Sequence, residues 1–417
     1  MTKTVVILGA GLAGLPIAHY LIKSTAAQVP DLRVVLVSPN THFYWALASV
    51  RFVLPEDKHA IREAKYLFPI ADQFAKYPHR DRFQFVAGAA TALHPERNSV
   101  TVTLNDDGKG EEVVIEYHTL IVATGTSYRD GMPWKAVGTT EQTRASIAQL
   151  RAQIDAAQSI VVAGAGATGT EFAGELGAAY AKRGAKKITL LTTDALPLEP
   201  HLKESVRATA KKELEKLNVE FIGGARVVSV SPKSQQQQGK KAIEIELLNS
   251  NDGKKATTTT KNTIAADLFI PTYGVTYNTS FAPLSMISAT SPGRLLQDTD
   301  LRAPGHANIF VIGDAGSLQP PQAIYADAQA RHLMGQFSSY FASGSVSHYA
   351  PSSRDAKTGE EKVQYGVTIG PDRGTGQMGG LQLPSLVIWW FKGRHIGTNY
   401  AAEYAAGIRS GSGAYPN

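Results

Sequence analysis

The sequence contains no cysteine among its 417 residues. This absence excludes disulfide bonds, thiolate nucleophiles, zinc sites with cysteine ligands and cysteine-ligated iron–sulfur clusters. It also excludes reactions that run through a redox-active cysteine pair of the chain itself, as in disulfide reductases and in sulfide-oxidising enzymes. The exclusion concerns thiols within the chain and leaves other electron acceptors open. No metal site is predicted.

Long runs of basic or apolar residues are also absent. The formal net charge is +6, but the basic residues come mostly in pairs such as Lys186–Lys187, which favours a solvated surface and argues against a nucleic-acid partner. The apolar run from Leu383 to Phe391 is shorter than the roughly 20 residues that span a bilayer. No secretory or transit signal precedes the first predicted strand, which begins at Thr4. We expect a cytoplasmic protein and leave peripheral membrane contact and the oligomeric state open.

The strongest positive signal is an internal repeat. Residues Val5–Leu21 (VVILGAGLAGLPIAHYL) and Ile160–Leu176 (IVVAGAGATGTEFAGEL) align without gaps. Each has an apolar, β-branched run, then G-x-G-x-x-G, then a helical pattern, which is the order found where a dinucleotide pyrophosphate binds between a strand and a helix. Because the chain is also too long for one core of about 250–300 residues, the repeat predicts two dinucleotide-binding domains.

Each glycine of the motif has a distinct role. The first makes the tight turn, the second lets the pyrophosphate approach the backbone, and the third lets the helix pack against the strand. The residues predicted to hold the two nucleotides in this way are Gly9, Gly11, Leu12, Ala13 and Gly14 in the first copy and Gly164, Gly166 and Gly169 in the second.

The second strand of each copy lacks the acidic residue that usually bonds the adenosine ribose. Ser38 occupies this position in the first copy and Thr192 in the second, with Asp194 two residues later. A hydroxyl can still bond a ribose hydroxyl, so both residues are predicted cofactor contacts. Without a carboxylate at Thr192 a 2′-phosphate is not repelled, and the choice between NADH and NADPH stays open.

Two strand ends later in the sequence indicate a resemblance to a known family. The segment Thr119–Thr126 (TLIVATGT) is a strand ending in Ala-Thr-Gly, and Asn308–Gly316 (NIFVIGDAG) is a strand ending in Gly-Asp. With these, the chain resembles the two-domain FAD/NAD(P)-dependent oxidoreductase superfamily. Within it, the chain is similar to the apoptosis-inducing-factor-like branch that includes the ferroptosis-suppressor quinone reductases, its fungal members in particular. That narrower similarity is carried by His42–Arg51, Phe85–Gly88, Gly164–Glu171 and Trp389–Ile396.

The resemblance implies an α/β fold with two Rossmann-like domains of the glutathione reductase type and a small C-terminal region. Residues 1–128 and 285–345 would form a discontinuous FAD-binding domain, residues 129–284 the NAD(P)-binding domain, and residues 346–417 a region that covers the flavin. It also implies FAD contacts for Arg51, Val86, Thr124, Gly125 and Asp314. The alternatives are a surface salt bridge for Arg51, a core position for Val86 and a helix N-cap for Asp314.

Two residues are predicted to act in catalysis. In the resembled families, a glutamate at the position of Glu171 faces the meeting point of flavin and nicotinamide, and a lysine at the position of Lys392 lies near the flavin ring. The alternatives are an acid favoured by the helix dipole for Glu171 and a solvated lysine for Lys392.

The predicted reaction passes a hydride from NADH or NADPH to FAD and then electrons to a second acceptor. The resemblance implies a quinone as that acceptor. Two alternatives remain at this point: reduction of an electron-carrier protein, steered by the positive charge, and a non-catalytic redox-sensing or nucleic-acid-binding factor.

Overall fold

The computed structural model describes most of the chain in seven stretches. These are residues 2–55, 61–105, 110–232, 241–248, 259–351, 363–411 and 413–416. They form two sheets of mainly parallel strands with helices between them, and a smaller antiparallel C-terminal sheet.

Five parallel strands form most of the first sheet, and two antiparallel strands extend one edge. In spatial order they are Ile309–Val311, Thr119–Val122, Lys3–Leu8, Leu32–Ser38, Phe83–His94, Ser99–Leu104 and Glu112–Glu116. Lys3–Leu8 is buried from Val5 onward because its apolar run is continuous, which is typical of parallel strands covered on both faces. Ile309–Val311 pairs with Thr119–Val122, so a late segment of the chain completes a sheet begun at its start.

The second sheet repeats this arrangement on a smaller scale. Its four strands are parallel and lie in the order Val219–Ile222, Lys187–Leu191, Ser159–Ala163 and Leu268–Pro271. An antiparallel sheet follows Val219–Ile222 in the chain; its strands are Ala225–Pro232, Lys241–Leu248 and Thr259–Ala266. The short strands Thr126–Tyr128 and Val275–Tyr277 pair where the chain enters and leaves this part of the molecule.

The C-terminal sheet consists of Gln364–Ile369, Arg373–Met378 and Leu381–Leu383. It lies against the helix of the second glycine motif, since a Cβ at Gly174 would come within 2.6 Å of the Gly370 nitrogen. The C-terminal region therefore contacts the second parallel-sheet unit. Two further small sheets pair His42–Tyr44 with Leu67–Pro69 and Arg409–Ser410 with Gly413–Ala414.

Helices cover the two parallel sheets. The α-helices are Gly14–Tyr20, Ala26–Gln28, Ser49–Phe52, Thr140–Ala156, Ala167–Ala179, Glu204–Lys216, Ala323–Ser343, Ser385–Ile388 and Thr398–Ala405, with π-helical turns at Leu21–Thr25 and Trp389–Gly393. Thr140–Ala156 begins at a capping box between Thr139 and Gln142. Among the described residues, no helix is both long and apolar enough to cross a bilayer. The predicted α/β class is confirmed, and the domain limits remain predictions.

Candidate active site

Both glycine motifs fold into the tight turn that their sequences predict. Gly9 has a φ of +102° and Gly164 a φ of +99°, a backbone conformation that other residues rarely adopt. A Cβ on the third glycine, Gly14 or Gly169, would collide with the carbonyl oxygen of Gly9 or Gly164 respectively. The protein itself therefore requires the first and third glycines.

The second glycine of each motif faces open space. Among the described residues, a Cβ at Gly11 would meet no atom within 4 Å, and one at Gly166 would meet only Oε1 of Glu199, at 3.6 Å. The internal packing does not explain why glycine stands at these two positions. Close approach of a ligand explains it, because a side chain there would separate a pyrophosphate from the backbone N–H groups.

The Ala-Thr-Gly strand end lies directly behind the first turn. A Cβ at Gly9 would collide with the carbonyl oxygen of Ala123, and the Thr124 hydroxyl is buried with no hydrogen-bond partner among the described residues. Asn278 fixes this strand end by donating from Nδ2 to the Thr124 carbonyl and from its backbone nitrogen to that of Gly125, both at 3.0 Å. A buried, unpartnered hydroxyl beside an open cradle fits a polar cofactor such as FAD.

Asp314 lies in a short turn directly after the strand Ile309–Val311 and carries an ion pair. Its Oδ2 lies 2.5 Å from the Lys135 ammonium and accepts a hydrogen bond of 3.3 Å from the Thr126 hydroxyl. The same ammonium donates to the Thr126 hydroxyl at 2.7 Å. Lys135 was not predicted as a site residue, because it belongs to no recognisable motif and only the tertiary fold brings it to Asp314.

The two predicted catalytic residues form an ion pair. The Lys392 ammonium lies 2.7 Å from Oε1 of Glu171, and only 7% of the glutamate side chain is exposed. The same oxygen accepts hydrogen bonds from the Thr368 backbone nitrogen at 3.0 Å and its hydroxyl at 3.3 Å. Lys392 also donates to the Gly366 carbonyl at 2.9 Å. The C-terminal sheet thus fixes both charges, and neither Thr368 nor Gly366 carried a sequence signal.

The guanidinium of Arg51 is buried and pairs with Glu175, one helical turn beyond Glu171. Nη2 and Nε donate to Oε1 of Glu175 at 2.7 and 3.0 Å, and Nη1 donates to the Gly393 carbonyl at 2.9 Å. The pair is internal rather than at the surface, with side-chain exposures of 6% and 3%. Through these bonds the guanidinium connects the helices Ser49–Phe52 and Ala167–Ala179 with the C-terminal region. A contact between Arg51 and FAD stays a prediction.

Three further predicted contacts lie in or directly after strands of the two parallel sheets. Ser38 is buried and its hydroxyl accepts a 3.2 Å hydrogen bond from the Asn40 backbone nitrogen. The Thr192 hydroxyl accepts one of 3.4 Å from Asp194 in the same way. Val86 is buried beside Val37 in the first sheet, so any contact with adenine would be through its main chain. These positions are compatible with their predicted roles, which remain predictions.

A cavity of about 510 Å³ opens beside the first glycine turn at Leu12. Much of its wall is aromatic; the aromatic lining residues are Trp45, Tyr325, Tyr349, Tyr400 and Tyr404. Tyr404 donates its hydroxyl hydrogen to the Leu12 carbonyl, and burial raises the pKa of its phenol well above the ordinary value. Glu171 and Lys392 do not line the cavity. Its chemistry suits a flat, mainly apolar molecule.

In each of the two parallel sheets, one strand leads into a glycine turn that is followed by a helix. This arrangement defines a protein with two dinucleotide-binding domains. The chain belongs to the pyridine nucleotide-disulphide oxidoreductase family, whose model matches residues 3–330. It has no cysteine, so it lacks the disulphide of the family description.

Individual relatives narrow the position of the chain within the family. It is 33% identical over 389 residues to "Oxidoreductase ptaL" of Pestalotiopsis fici, covering 93% of this chain and 94% of the relative. It is 25% identical over 397 residues to ferroptosis suppressor protein 1 of Taeniopygia guttata, covering 94% and 93%. It is 27% identical over 341 residues to the type II NADH:quinone oxidoreductase of Staphylococcus epidermidis, covering 76% and 75%.

A solved structure agrees with the fold. The sulfide:quinone oxidoreductase from Aquifex aeolicus superimposes with a TM-score of 0.70 at 16% identity, covering 97% of this chain and 92% of that one. The predicted superfamily and branch are confirmed, as is the prediction that the enzyme is an oxidoreductase that binds FAD and a nicotinamide nucleotide. The electron acceptor and the residue assignments remain predictions.

Proposed function

We propose that the enzyme passes electrons from NADH or NADPH, through FAD, to a quinone. The observation that carries this proposal is the aromatic cavity at Leu12, which adjoins the first dinucleotide cradle and excludes Glu171 and Lys392 from its lining. A nicotinamide at the Glu171–Lys392 pair and an acceptor in the cavity would then approach the flavin by separate routes. The chain has no cysteine that could serve as an internal acceptor.

We assign the first cradle to FAD and the second to the nicotinamide nucleotide. Gly9, Gly11 and Gly14 would hold the FAD pyrophosphate, with Thr124 and Asp314 bonding the rest of the cofactor. Gly164, Gly166 and Gly169 form the same cradle for NAD(P)H. Bound FAD supplies a ring that accepts a hydride and releases two electrons.

Glu171 and Lys392 would act where the two nucleotides meet. The Thr368 backbone nitrogen fixes the Glu171 carboxylate, which would orient the carboxamide of the nicotinamide. The Lys392 ammonium, held by Glu171 and the Gly366 carbonyl, would place a positive charge near the site where negative charge develops on reduction. Both roles depend on a fixed geometry that the C-terminal sheet provides.

A quinone is the acceptor that the cavity and the relatives favour together. Tyr349, Tyr400 and Tyr404 line the cavity, and aromatic walls of this kind suit a flat ring. A relative that aligns over 76% of this chain is named a type II NADH:quinone oxidoreductase. The same chemistry would admit other planar aromatic carbonyl compounds.

The C-terminal region also presents an apolar face that suits a membrane surface. The side chains of Leu386, Trp390 and Phe391 are 68%, 59% and 80% exposed. The Arg394 guanidinium lies 4.7 Å from the centre of the Trp390 ring. Aromatic and aliphatic side chains flanked by a cation are typical of segments that lie at a lipid interface. We propose peripheral contact here, which would bring the enzyme to lipid-soluble quinones.

The acceptor is tested by sequential mixing under anaerobic conditions. The enzyme is first reduced with NADH and then mixed with a soluble short-chain quinone, a ferredoxin, a rubredoxin or oxygen, while the flavin absorbance near 450 nm is followed. We expect the quinone to reoxidise the flavin fastest, at a rate that rises with its concentration. Reoxidation by a carrier protein but not by quinone would contradict the proposal.

Membrane contact has its own test, which is sedimentation with phosphatidylcholine vesicles. A Trp390→Ser/Phe391→Ser double variant should bind vesicles at least about tenfold more weakly than the natural chain, since each buried aromatic side chain contributes roughly 1.5–3 kcal/mol. Leu284→Ser is the matched control, because Leu284 is 88% exposed but lies outside the C-terminal region. Equal sedimentation of all three proteins would contradict the assignment of this face.

A further inference from the structure

The aromatic cavity at Leu12 has few charged residues in its wall. Of the described residues that line it, only Arg409 and Asp327 are charged at neutral pH. Asp327 is buried, and Oδ1 of its carboxylate accepts a 2.7 Å hydrogen bond from the Gly411 backbone nitrogen. The Arg409 side chain is 22% exposed. The more accessible charge of the lining is therefore positive.

The guanidinium of Arg409 lies at the cavity wall. Its central carbon is 4.0 Å from the centre of the Tyr400 ring, and Tyr400 lines the same cavity. A guanidinium that stacks on an aromatic ring uses its flat face and keeps the N–H donors at its edge for hydrogen bonds. The stack therefore holds a cation beside the cavity without consuming its donors.

Arg409 has weak partners within the described part of the chain. Nη1 lies 3.7 Å from Oε2 of Glu403, whose side chain is 51% exposed, and Nε donates to the Ser410 carbonyl at 3.3 Å. By contrast, the buried guanidinium of Arg51 makes three hydrogen bonds of 2.7 to 3.0 Å. An exposed ion pair contributes little, and a guanidinium carries five N–H donors. Most of the hydrogen-bonding capacity of Arg409 is thus open to a ligand.

The backbone that carries Arg409 is fixed on both sides of the cavity wall. The strand Arg409–Ser410 pairs with Gly413–Ala414. The Ser410 hydroxyl accepts a 2.8 Å hydrogen bond from Nη1 of Arg331, and Gly411 is bonded to Asp327. A donor on such a support can stabilise a developing charge without reorganisation.

Reduction of a quinone places negative charge on its oxygens. The quinone gains two electrons and two protons and leaves as the hydroquinone; anionic reduced FAD supplies both electrons and one proton, and water supplies the second proton. A cation at one of these oxygens stabilises the charge that develops before the second proton arrives. The same cation favours a ring that already carries an ionised hydroxyl group, because hydrogen bonds between two charged groups are the stronger ones.

We propose that Arg409 binds an oxygen of the acceptor, and that the preferred acceptor is a quinone whose ring carries an acidic hydroxyl group. Arg409 is then a catalytic residue of the oxidative half of the reaction and sets its specificity. The inference rests on the proposed use of the cavity for a quinone and names the class of quinone.

The test compares 1,4-naphthoquinone, which is neutral, with 2-hydroxy-1,4-naphthoquinone, which is an anion at neutral pH. Anaerobic stopped flow measures how fast each quinone reoxidises the NADH-reduced enzyme, and quenching of protein fluorescence measures its binding to the oxidised enzyme. The natural enzyme should bind the anion more tightly. Arg409→Met should lower both kcat/KM and affinity for the anion at least about tenfold more than for the neutral quinone. Because each variant is compared with the natural enzyme on the same two quinones, the difference between their reduction potentials cancels.

Two further variants separate the charge from the fold. Arg409→Lys keeps the charge and should restore most of the preference for the anion. Arg183→Met is the matched control, because Arg183 is exposed, lies 5.7 Å from the centre of the Tyr180 ring and does not line the cavity. It should leave the preference unchanged, and bleaching by NADH should be the same in all four proteins.

Three results would overturn the proposal: an unchanged preference in Arg409→Met, the same loss in Arg183→Met, or tighter binding of the neutral quinone by the natural enzyme. If neither quinone reoxidises the flavin, the proposed function fails instead. The binding titrations then still decide whether Arg409 holds an anionic ring in the cavity.

Discussion

The Lys392 ammonium and the Glu171 carboxylate are 2.7 Å apart, although the two residues are far apart in the sequence. Glu171 lies in the helix of the second glycine motif, and Lys392 lies in the C-terminal region. Since each charge is the other's principal partner, neither can be removed without altering its neighbour. The pair should therefore behave as one functional unit.

Removal of the Glu171 charge should slow the reductive half of the reaction. We expect Glu171→Gln to reduce the rate of flavin bleaching by NADH by about 10²-fold, a typical contribution of a positioned acid or base, with FAD still bound. Stopped-flow absorbance measures the rate and the visible spectrum measures FAD content. Glu220→Gln is the control, because Glu220 pairs with Lys187 at the surface of the same domain. A Glu171→Gln protein that bleaches at the natural rate, or that has lost FAD, would show that the assignment is wrong.

The double variant tests whether the pair is a unit. Lys392→Met should also slow bleaching, and Glu171→Gln/Lys392→Met should be slower than the worse single variant by no more than about twofold, since coupled residues are strongly non-additive. Multiplication of the two single effects in the double variant would mean that the residues act independently.

The buried pair of Arg51 and Glu175 should matter for stability. Loss of one partner leaves a buried charge, so Glu175→Gln and Arg51→Met should each lower the free energy of unfolding by about 3–5 kcal/mol. Urea denaturation of the FAD-loaded protein measures this change. FAD affinity then separates the two interpretations of Arg51: if Arg51 also binds FAD, Arg51→Met weakens FAD binding more than Glu175→Gln does. Equal affinities would limit Arg51 to the ion pair.

Asp314 should contribute directly to FAD binding. Asp314→Ala should weaken FAD by about 10–100-fold, because a hydrogen bond to a charged group contributes roughly 1.5–3 kcal/mol. Fluorescence titration of the stripped protein with FAD measures the affinity. Asp300→Ala is a suitable control, because that carboxylate pairs with His348 and Arg302 away from the glycine turns. Unchanged FAD affinity in Asp314→Ala would contradict the assignment.

His19 should make the fold less stable in mild acid. Burial lowers its pKa from 6.5 to about 3, and the neutral ring bonds the Ala405 carbonyl and the Tyr77 hydroxyl, both at 2.9 Å. Between these pKa values the unfolded chain binds a proton that the folded chain does not, so stability falls as the pH drops below 6.5.

The slope is about 1.4 kcal/mol per pH unit for one proton. Urea denaturation at pH 7.5 and 5.5 should therefore show a loss of stability that is smaller by about 1.4 kcal/mol in His19→Gln than in the natural chain. His201→Gln, at an exposed position, should keep the full loss. An equal loss in all three proteins would show that His19 does not titrate on unfolding.

The cavity should serve the oxidative half of the reaction alone. Ala323→Trp places a large side chain in the wall of the cavity. Because this side chain would occlude the pocket, flavin reoxidation by a soluble quinone should slow at least about tenfold. The rate of bleaching by NADH should not change. Ala342→Trp is the control, since Ala342 is exposed on the same helix and does not line the cavity. Unchanged reoxidation by quinone in Ala323→Trp would remove the cavity from the electron path.

The sequence predicted those parts of the site that depend on local backbone. The turns at Gly9 and Gly164 follow from glycine spacing after an apolar strand, because a positive φ and a close helix–strand contact leave few other residue choices. Lys392 and Glu171 were each predicted near the flavin, but their direct contact was not, because the C-terminal sheet brings them together over a long separation in the chain.

Other site residues had no sequence signal. Lys135 and Thr368 reach the site only through tertiary packing, and no local pattern marks a single lysine in a loop or a single threonine in a short strand. Such contacts depend on the relation between whole elements rather than on any local pattern.

In the proposed enzyme, FAD and NAD(P)H bind to the two glycine cradles, and electrons pass from the nicotinamide to the flavin. The most direct test is to add one equivalent of NADH anaerobically to the FAD-loaded enzyme and to record the spectrum between 350 and 700 nm. We predict full loss of the flavin absorbance and its return on addition of one equivalent of a soluble quinone. A purified protein that is colourless and takes up no FAD, or whose flavin is bleached by neither NADH nor NADPH, would contradict the account.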